Sequence, residues 1–152
     1  HDTVRRQRQM CIRDRTLSGY MVSNDPSLSE DYYDVSGVLQ ANSGNRLAYV
    51  PELSYVLGLD KVLSIFGMPG YVSVDYSYTG DRYTSQANDL KLPSYAIANM
   101  RVGVESANRS MEVFISNLTD ENGYQSRYND FGDIRRTQNR PRVIGLRFKY
   151  RY

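Results

Sequence analysis

The chain contains 152 residues with a formal net charge of +2, a length that fits one domain or part of one. Its single histidine, His1, and single cysteine, Cys11, cannot supply a histidine base, a zinc site or an internal disulfide. The longest uncharged stretch, residues 62–74, is interrupted by Gly and Pro, whereas a membrane-spanning helix needs about 20 apolar residues. These observations exclude chemistry that depends on histidine or paired thiols, and insertion into a membrane through a helix.

The basic character of the chain is confined to its first residues. Residues 1–15 contain five Arg and two Asp, so residues 16–152 carry 14 Lys/Arg against 15 Asp/Glu, and no nucleic-acid partner is expected. The string QMCIRDR resembles translated sequencing-adapter read-through at a broken DNA end. We therefore expect residues 1–15 to be non-native, or alternatively a disordered basic arm, and the authentic sequence to begin near Thr16.

From Thr16 onward, apolar and polar residues alternate with a period of two, which is typical of β-strands with one apolar face. Near the C-terminus, for example, Leu146 and Phe148 alternate with Arg147 and Lys149. A helical period collects charged residues as often as apolar ones in the same segment. The pattern predicts an all-β fold, an antiparallel meander of five to six strands at residues 16–24, 52–60, 71–78, 94–105, 110–116 and 142–152.

The connections between these segments alternate in length. Those at residues 25–50, 81–93 and 119–141 are longer, whereas those at 63–69 and 106–109 are short. In a meander this places the long loops at one end of the strands and the tight turns at the other. Outer-membrane β-barrels have the same asymmetry, with long external loops and short periplasmic turns.

Tyrosine is unusually abundant, with 14 copies against four Phe and no Trp. On the apolar face it occurs near both ends of the strands, at Tyr55, Tyr76 and Tyr78 toward the long loops and at Tyr150 and Tyr152 toward the other end. Amphipathic rings at two levels are typical of a protein that meets two lipid headgroup layers. Because Tyr also favours strands in general, this pattern supports a membrane barrel without requiring one.

Four stretches in this order resemble the C-terminal end of a TonB-dependent outer-membrane receptor barrel. The most specific feature is NLTDE followed by a loop and then RPR at the start of the last strand. The resemblance extends over nearly all of residues 16–152. The stretches are NRLAYVPELSYVLGLD (45–60), GYVSVDYSYTGDRYTSQANDLKLPSYAIANMRVGVE (70–105), MEVFISNLTDENGYQSRYND (111–130) and NRPRVIGLRFKYRY (139–152).

This resemblance implies an open, curved segment of a transmembrane β-barrel of about 22 strands in the bacterial outer membrane. Such receptors import siderophore-bound iron, cobalamin or a similar scarce ligand with energy relayed by TonB, so we expect a metal chelate or a similar compound as the ligand. TonB would act through an N-terminal plug that residues 16–152 do not have room to include. Outer-membrane lipid and lipopolysaccharide would surround the strands.

The last strand fits a second role that the resemblance implies. In outer-membrane proteins of this type, a final strand with alternating apolar residues and a terminal aromatic is the signal for the barrel-assembly machinery. Leu146, Phe148, Tyr150 and Tyr152 match this pattern, although Tyr stands where Phe is commoner. The alternative is that these residues are simply lipid-facing strand positions, and the two roles are compatible.

The loop at residues 119–141 is the candidate ligand-contact site. Guanidinium groups and aromatic rings together suit an anionic or sugar-rich ligand, although a solvated loop with locally paired charges is the simpler alternative. The candidate contact residues are Tyr124, Arg127, Tyr128, Asp130, Arg135 and Arg136.

No catalytic or metal-binding set of residues occurs in the sequence. There is no Ser-His-Asp set, phosphate-binding loop, dinucleotide turn or metal box, so we expect neither enzymatic activity nor a cofactor. Two alternatives to the transporter remain at this stage: a passive porin-like outer-membrane barrel and a soluble β-rich binding module. The soluble module would place Leu146 and Phe148 in a core and would be monodisperse in water.

Overall fold

A computed structural model describes residues 15–130 and 133–151 of the chain. In these ranges the regular structure consists of strands alone, and no helix there is long and apolar enough to cross a membrane. The strands are β1 (Arg15–Ser23), β2 (Tyr32–Tyr33), β3 (Leu39–Ala41), β4 (Leu53–Ile65), β5 (Met68–Thr79), β6 (Arg82–Tyr83), β7 (Lys91–Leu92), β8 (Tyr95–Glu105), β9 (Arg109–Ser116), β10 (Tyr124–Asp130), β11 (Asp133–Gln138) and β12 (Val143–Tyr150).

Six of these strands form one open antiparallel sheet. Its order is β1-β4-β5-β8-β9-β12, so each long strand pairs with the next long strand along the chain. The predicted antiparallel meander is therefore confirmed. The three longer connections are more ordered than plain loops, because each contains a small two-stranded hairpin: β2–β3, β6–β7 or β10–β11.

The register of the sheet sorts its side chains onto two faces, because directly paired residues lie on the same side. One transverse row pairs Leu59 with Val74 and Val74 with Met100, and continues through Ile115 to Ile144. A neighbouring row on the opposite face pairs Ser73 with Arg101. The alternation in the sequence thus becomes one continuous apolar face and one polar face across all six strands.

The turn between β4 and β5 is tighter than the sequence suggested. The prediction ended the strand at residue 60 and assigned residues 63–69 to the turn, but β4 continues to Ile65 and β5 begins at Met68. Phe66 and Gly67 both have positive φ, 51° and 78°, which is typical of a two-residue type I′ hairpin turn. Such a turn matches the twist of the paired strands, and therefore the ladder extends close to the turn.

The most buried side chains lie in the connections rather than in the sheet. Leu92 of β7 is fully buried and Ala41 of β3 is 2% exposed. By contrast, Leu146 and Phe148 of β12 are 66% and 62% exposed on the apolar face. The prediction for a soluble module, which placed Leu146 and Phe148 in a core, is therefore not met within the described residues.

Candidate ligand-binding loops

Three long connections lie at one end of the sheet because the strands run up and down in order. We call them L1 (residues 24–52), L2 (residues 80–94) and L3 (residues 117–142). The opposite end carries the tight turns at residues 66–67 and 106–108. This arrangement confirms the predicted alternation of connection lengths, and it brings the three hairpins together at one end.

Asn117 fixes the base of L3. It has φ of 53°, a left-handed conformation that Asn tolerates better than most residues, and it is 3% exposed. Its amide nitrogen donates to the carbonyl oxygens of Glu121 and Arg140 at 2.9 and 3.0 Å, and its amide oxygen accepts from the Glu121 N–H at 2.9 Å. Asp120 accepts the N–H of Arg142 at 2.8 Å. The NLTDE and RPR segments therefore meet and close L3 into a fixed root.

Within L3, β10 and β11 form an antiparallel hairpin with one irregularity. Tyr124 pairs with Gln138 and Ser126 with Thr137, so Gln125 is an extra residue, a β-bulge. Beyond the bulge, Arg127 pairs with Arg136. A bulge reverses the facing of the residues that precede it, so it places Tyr124 on the same face as Arg127 and Arg136.

Three of the predicted ligand-contact residues therefore share one face of the hairpin. The Arg136 guanidinium lies 5.5 Å from the centre of the Tyr124 ring and donates to its hydroxyl at 3.2 Å. Arg127 lies directly opposite Arg136 and is half-buried. We call Tyr124, Arg127 and Arg136 the cationic face of L3. Two guanidinium groups facing each other repel, so this face favours an anion.

The structure separates the other candidates from this set. Tyr128 pairs with Arg135 on the opposite face of the hairpin, and both are exposed. The backbone of Asp130 is described and pairs with Asp133, but its side chain lies outside the described residues.

L1 is fastened to L2 by a charged contact. Arg46 donates to a carboxylate oxygen of Asp81 at 2.9 Å and to the Asp81 carbonyl at 2.7 Å, and Lys91 contacts the same carboxylate oxygen at 3.1 Å. Hydrogen bonds from Arg46 and then Lys91 hold the pKa of Asp81 below its usual value. Asn88 adds two bonds to the Arg46 backbone, both at 2.7 Å. L1 and L2 therefore form one packed unit.

L2 also contacts L3, through Arg82. This side chain is 6% exposed and donates to the carbonyl oxygens of Tyr124 and Gln125 at 3.1 and 3.0 Å. Asp81 and Arg82 were not predicted from the sequence, because residues 81–93 stood out there only as one of the longer connections. No pattern of spacing or hydrophobicity marks these residues, because Arg46 lies 35 positions from Asp81 and the acceptors of Arg82 lie 42 and 43 positions away.

The polar face of the sheet holds a paired network. Arg147 donates to Glu112 at 2.6 Å, Tyr71 donates to the same carboxylate, and Asn99 donates to Asp75 at 2.5 Å. An open cleft of about 340 Å³ lies over these groups. Arg147 and Glu112 lie directly opposite each other on neighbouring strands, where opposite charges stabilise a sheet. In the described part of the chain no group of three or more Asp, Glu, His or Cys side chains is arranged to hold a metal ion.

The last strand places three of the four predicted assembly-signal residues on one face. Leu146 pairs with Val113, Phe148 with Met111 and Tyr150 with Arg109, all on the apolar side. Tyr152 lies outside the described residues. The Arg109 guanidinium lies 5.9 Å from the centre of the Tyr150 ring, at the tight-turn end of the sheet.

Comparisons with known proteins agree with this architecture. A family model described as TonB dependent receptor-like, beta-barrel matches residues 18–118. The siderophore receptor PiuA from Acinetobacter baumannii superposes with a TM-score of 0.75 at 19% identity, over 91% of this chain and 20% of that one. BauA, the ferric preacinetobactin receptor of the same organism, gives 0.68 at 19% identity, over 92% and 20%. The ferric yersiniabactin uptake receptor FyuA from Yersinia pestis gives 0.68 at 18% identity, over 74% and 18%.

The open meander, its two contrasting faces and its ordered long loops define a segment of a receptor-type β-barrel. Because the family model matches more than half of its length, the chain belongs to the TonB-dependent receptor β-barrel family, a family of receptors rather than enzymes. The chain spans about a fifth of the length of the solved receptors that it resembles. Comparison with curated proteins gives no match.

Proposed function

We propose that residues 16–152 are the C-terminal strands of an outer-membrane receptor that imports a siderophore-iron complex with energy from TonB. Support comes from the family assignment and from solved neighbours whose names describe siderophore receptors. The barrel would have about 22 strands and a plug that contacts TonB. Residues 1–15 are proposed to be non-native. Cobalamin is a less favoured ligand, because the named neighbours are siderophore receptors.

The proposed orientation in the outer membrane follows from the two faces of the sheet. Lipid would cover the apolar face and water would fill the polar side, because a large membrane barrel has an apolar exterior and a polar interior. Tyr55 stacks on Tyr78 with ring centres 5.1 Å apart at the long-loop end, and Tyr150 lies at the other end. Rings at these two levels suit the two headgroup layers, with lipopolysaccharide around the long loops.

The cationic face of L3 is the observation that carries the ligand proposal. Arg127 and Arg136 stand opposite each other beside the Tyr124 ring, on a loop at the proposed extracellular end. A ferric catecholate, for example, holds iron through phenolate oxygens on aromatic rings, so such a complex offers both negative charge and flat aromatic surfaces. Two guanidinium groups and a phenol ring complement such a chelate.

Uptake by the full-length receptor tests the proposal. We expect iron-starved cells that depend on this receptor to accumulate labelled iron from ferric preacinetobactin, ferric yersiniabactin or a ferric catecholate, and to do so only when TonB is present. Accumulation without TonB, together with ion conductance in planar bilayers, would instead support the passive porin. Failure to bind any of the three chelates would reject the siderophore assignment.

A pair of variants tests the cationic face itself. We expect Arg127→Ala combined with Arg136→Ala to weaken binding of the recognised ferric chelate by about tenfold or more, since charge-assisted hydrogen bonds are among the stronger polar contacts. Arg135→Ala is the matched control, because Arg135 lies on the other face of the same hairpin. Equal losses in both variants, measured by fluorescence titration, would show that the face does not determine binding.

A further inference from the structure

We infer that Arg82 is a positioning residue for the cationic face of L3, because it holds the β-bulge that turns Tyr124 toward Arg136. This inference rests on the proposed function, since it concerns the residues assigned there to the ligand. It adds a residue of L2 whose guanidinium contacts the backbone of β10 at Tyr124 and Gln125.

The backbone of the bulge has two carbonyl oxygens that accept hydrogen bonds from Arg82. The extra residue of a bulge interrupts the ladder, and its carbonyl needs another hydrogen-bond donor. In β10 the carbonyl oxygens of Tyr124 and Gln125 both accept from Arg82 Nη2, at 3.1 and 3.0 Å. The Arg82 guanidinium therefore supplies hydrogen bonds to the carbonyl groups of the bulge, where the β10–β11 ladder is interrupted.

The Arg82 side chain is itself held in place by packing. Its guanidinium lies 5.6 Å from the centre of the Tyr95 ring. Gly123, the residue before β10, approaches the same ring. A Cβ added at Gly123 would lie 2.4 Å from a Tyr95 ring carbon, so only glycine permits this close approach. Arg82 and Gly123 are both buried, and β10 lies against β7. The root of the hairpin is thus held between L2 and the start of β8.

The bulge decides which face of the hairpin carries Tyr124. With the bulge, Tyr124 shares a face with Gln138, Arg136 and Arg127; a regular register would turn Tyr124 to the face of Tyr128. The contact between the Tyr124 hydroxyl and Arg136 at 3.2 Å exists only in the bulged register. The cationic face is therefore assembled by the bulge, and Arg82 is the side chain that stabilises it.

Within the described residues, Arg82 is buried and forms no ion pair with a carboxylate. A buried charge without an ion-pair partner is costly, so an apolar side chain of similar length removes that cost, although it leaves the two carbonyl oxygens without this donor. Arg82→Met places an apolar side chain of similar length beside the Tyr95 ring and removes the donors. We therefore expect the variant receptor to assemble and to lose the hydrogen bonds from residue 82 to the carbonyl oxygens of Tyr124 and Gln125.

The experiment compares full-length receptors in detergent. Trypsin cleavage after Arg127, Arg135 and Arg136 measures how firmly the hairpin is held, and titration with the recognised ferric chelate gives Kd. We expect Arg82→Met to speed cleavage in L3 and to raise Kd by about tenfold. In cells, maximal uptake at saturating chelate should be unchanged. Arg82→Lys, which keeps one donor group, should fall between Arg82→Met and the unaltered receptor.

Two controls and a second variant sharpen the result. Arg46→Met should leave L3 protected from trypsin, because the Arg46 side chain contacts Asp81 of L2 and Glu52 of L1. Arg109→Met, at the tight-turn end, should leave Kd unchanged. Deletion of Gln125 removes the bulge and keeps the pairs of Tyr124 with Gln138 and of Ser126 with Thr137, so Tyr124 stays on the cationic face. In this background Arg82→Met should no longer raise Kd. If Arg82→Met fails to assemble, the cleavage rate and Kd of Arg82→Lys provide the test.

Wild-type rates of L3 cleavage in Arg82→Met would overturn the inference, and so would faster cleavage with an unchanged Kd. A receptor that binds none of the three ferric chelates would reject the proposed function. In that event the cleavage rates still decide whether Arg82 holds the bulge, because they require no ligand. The two failures are therefore distinguishable.

Discussion

Asn117 shows how single polar residues organise the loop end of the sheet. It takes a left-handed conformation, and its side chain, together with that of Asn139, donates to the carbonyl oxygens of Glu121 and Arg140. Its own N–H donates to Asn99 at 2.9 Å, and Asn99 donates to Asp75 on the polar face. A hydrogen-bonded path therefore joins the wall of the sheet to the root of L3. The sequence drew attention to NLTDE through a resemblance, and the structure supplies its physical reason.

Acid should release L1 from L2 through Asp81. Arg46 and Lys91 lower the pKa of Asp81 in the folded state, so the contact stabilises docking at pH values above the usual 3.8. That contribution is lost as pH falls through the lowered pKa, because protonation removes the charge that both cations contact. We expect amide hydrogen exchange in L1, corrected for intrinsic rates, to accelerate below pH 3.8 in the full-length receptor.

Asp81→Asn should show the loosened L1 already at neutral pH and little further change on acidification. Asp89→Asn is the matched control, since Asp89 lies in L2 and accepts from Ser85 within the same loop. Asp25 in L1 also has a lowered pKa, from hydrogen bonds of Ser27, so the comparison between variants isolates Asp81. Identical acid responses in the Asp81→Asn and unaltered receptors would contradict the prediction.

At the scale of elements, the six long strands follow from alternation and the three inserted hairpins do not. A strand with alternating residues has one stable register against its neighbouring strand, because a shift by one residue would place every apolar side chain on the wrong face. The hairpin β6–β7 pairs only Arg82 with Leu92 and Tyr83 with Lys91, which is too short to produce a period. Its stability comes from contacts with L1 and L3, and these depend on the tertiary fold.

The last strand is expected to carry the assembly signal proposed from its sequence. Deleting Tyr152 from the full-length receptor should reduce the amount assembled in the outer membrane several-fold, because the terminal aromatic is the feature that the assembly machinery is proposed to recognise. The measurement is the fraction of receptor that resists heat unfolding on gels of outer-membrane fractions. Tyr152→Phe is the control and should restore assembly, whereas normal assembly after the deletion would count against the signal role.

At the scale of the whole molecule, the sheet has two unpaired edges and one uncovered apolar face within the described residues. β1 and β12 are the outer strands, and Leu17, Ile144 and Leu146 are 79%, 67% and 66% exposed. Each such side chain forgoes about 1.5–3 kcal/mol of burial when it faces water. Open sheet edges also recruit other strands. Lipid and further strands of a barrel would remove both costs.

We therefore expect residues 16–152 produced alone to aggregate in buffer and to remain dispersed only in detergent. Light scattering and size-exclusion chromatography with and without detergent measure this directly. Leu146→Lys combined with Phe148→Lys should raise solubility in buffer, because it interrupts the apolar face on β12. A monodisperse monomer without detergent would contradict the membrane assignment and favour the soluble binding module.

The sequence by itself determined the strands of the large sheet, their antiparallel order, the alternation of connection lengths and the family. These features depend on a local period and on neighbouring segments, and so they can be recognised along the chain. Only the tertiary structure decided that Tyr124, Arg127 and Arg136 share a face while Tyr128 and Arg135 do not, because one bulged residue reverses the facing. It also revealed Arg82, whose acceptors lie 42 and 43 positions away, since contacts at that separation are set by how the loops pack.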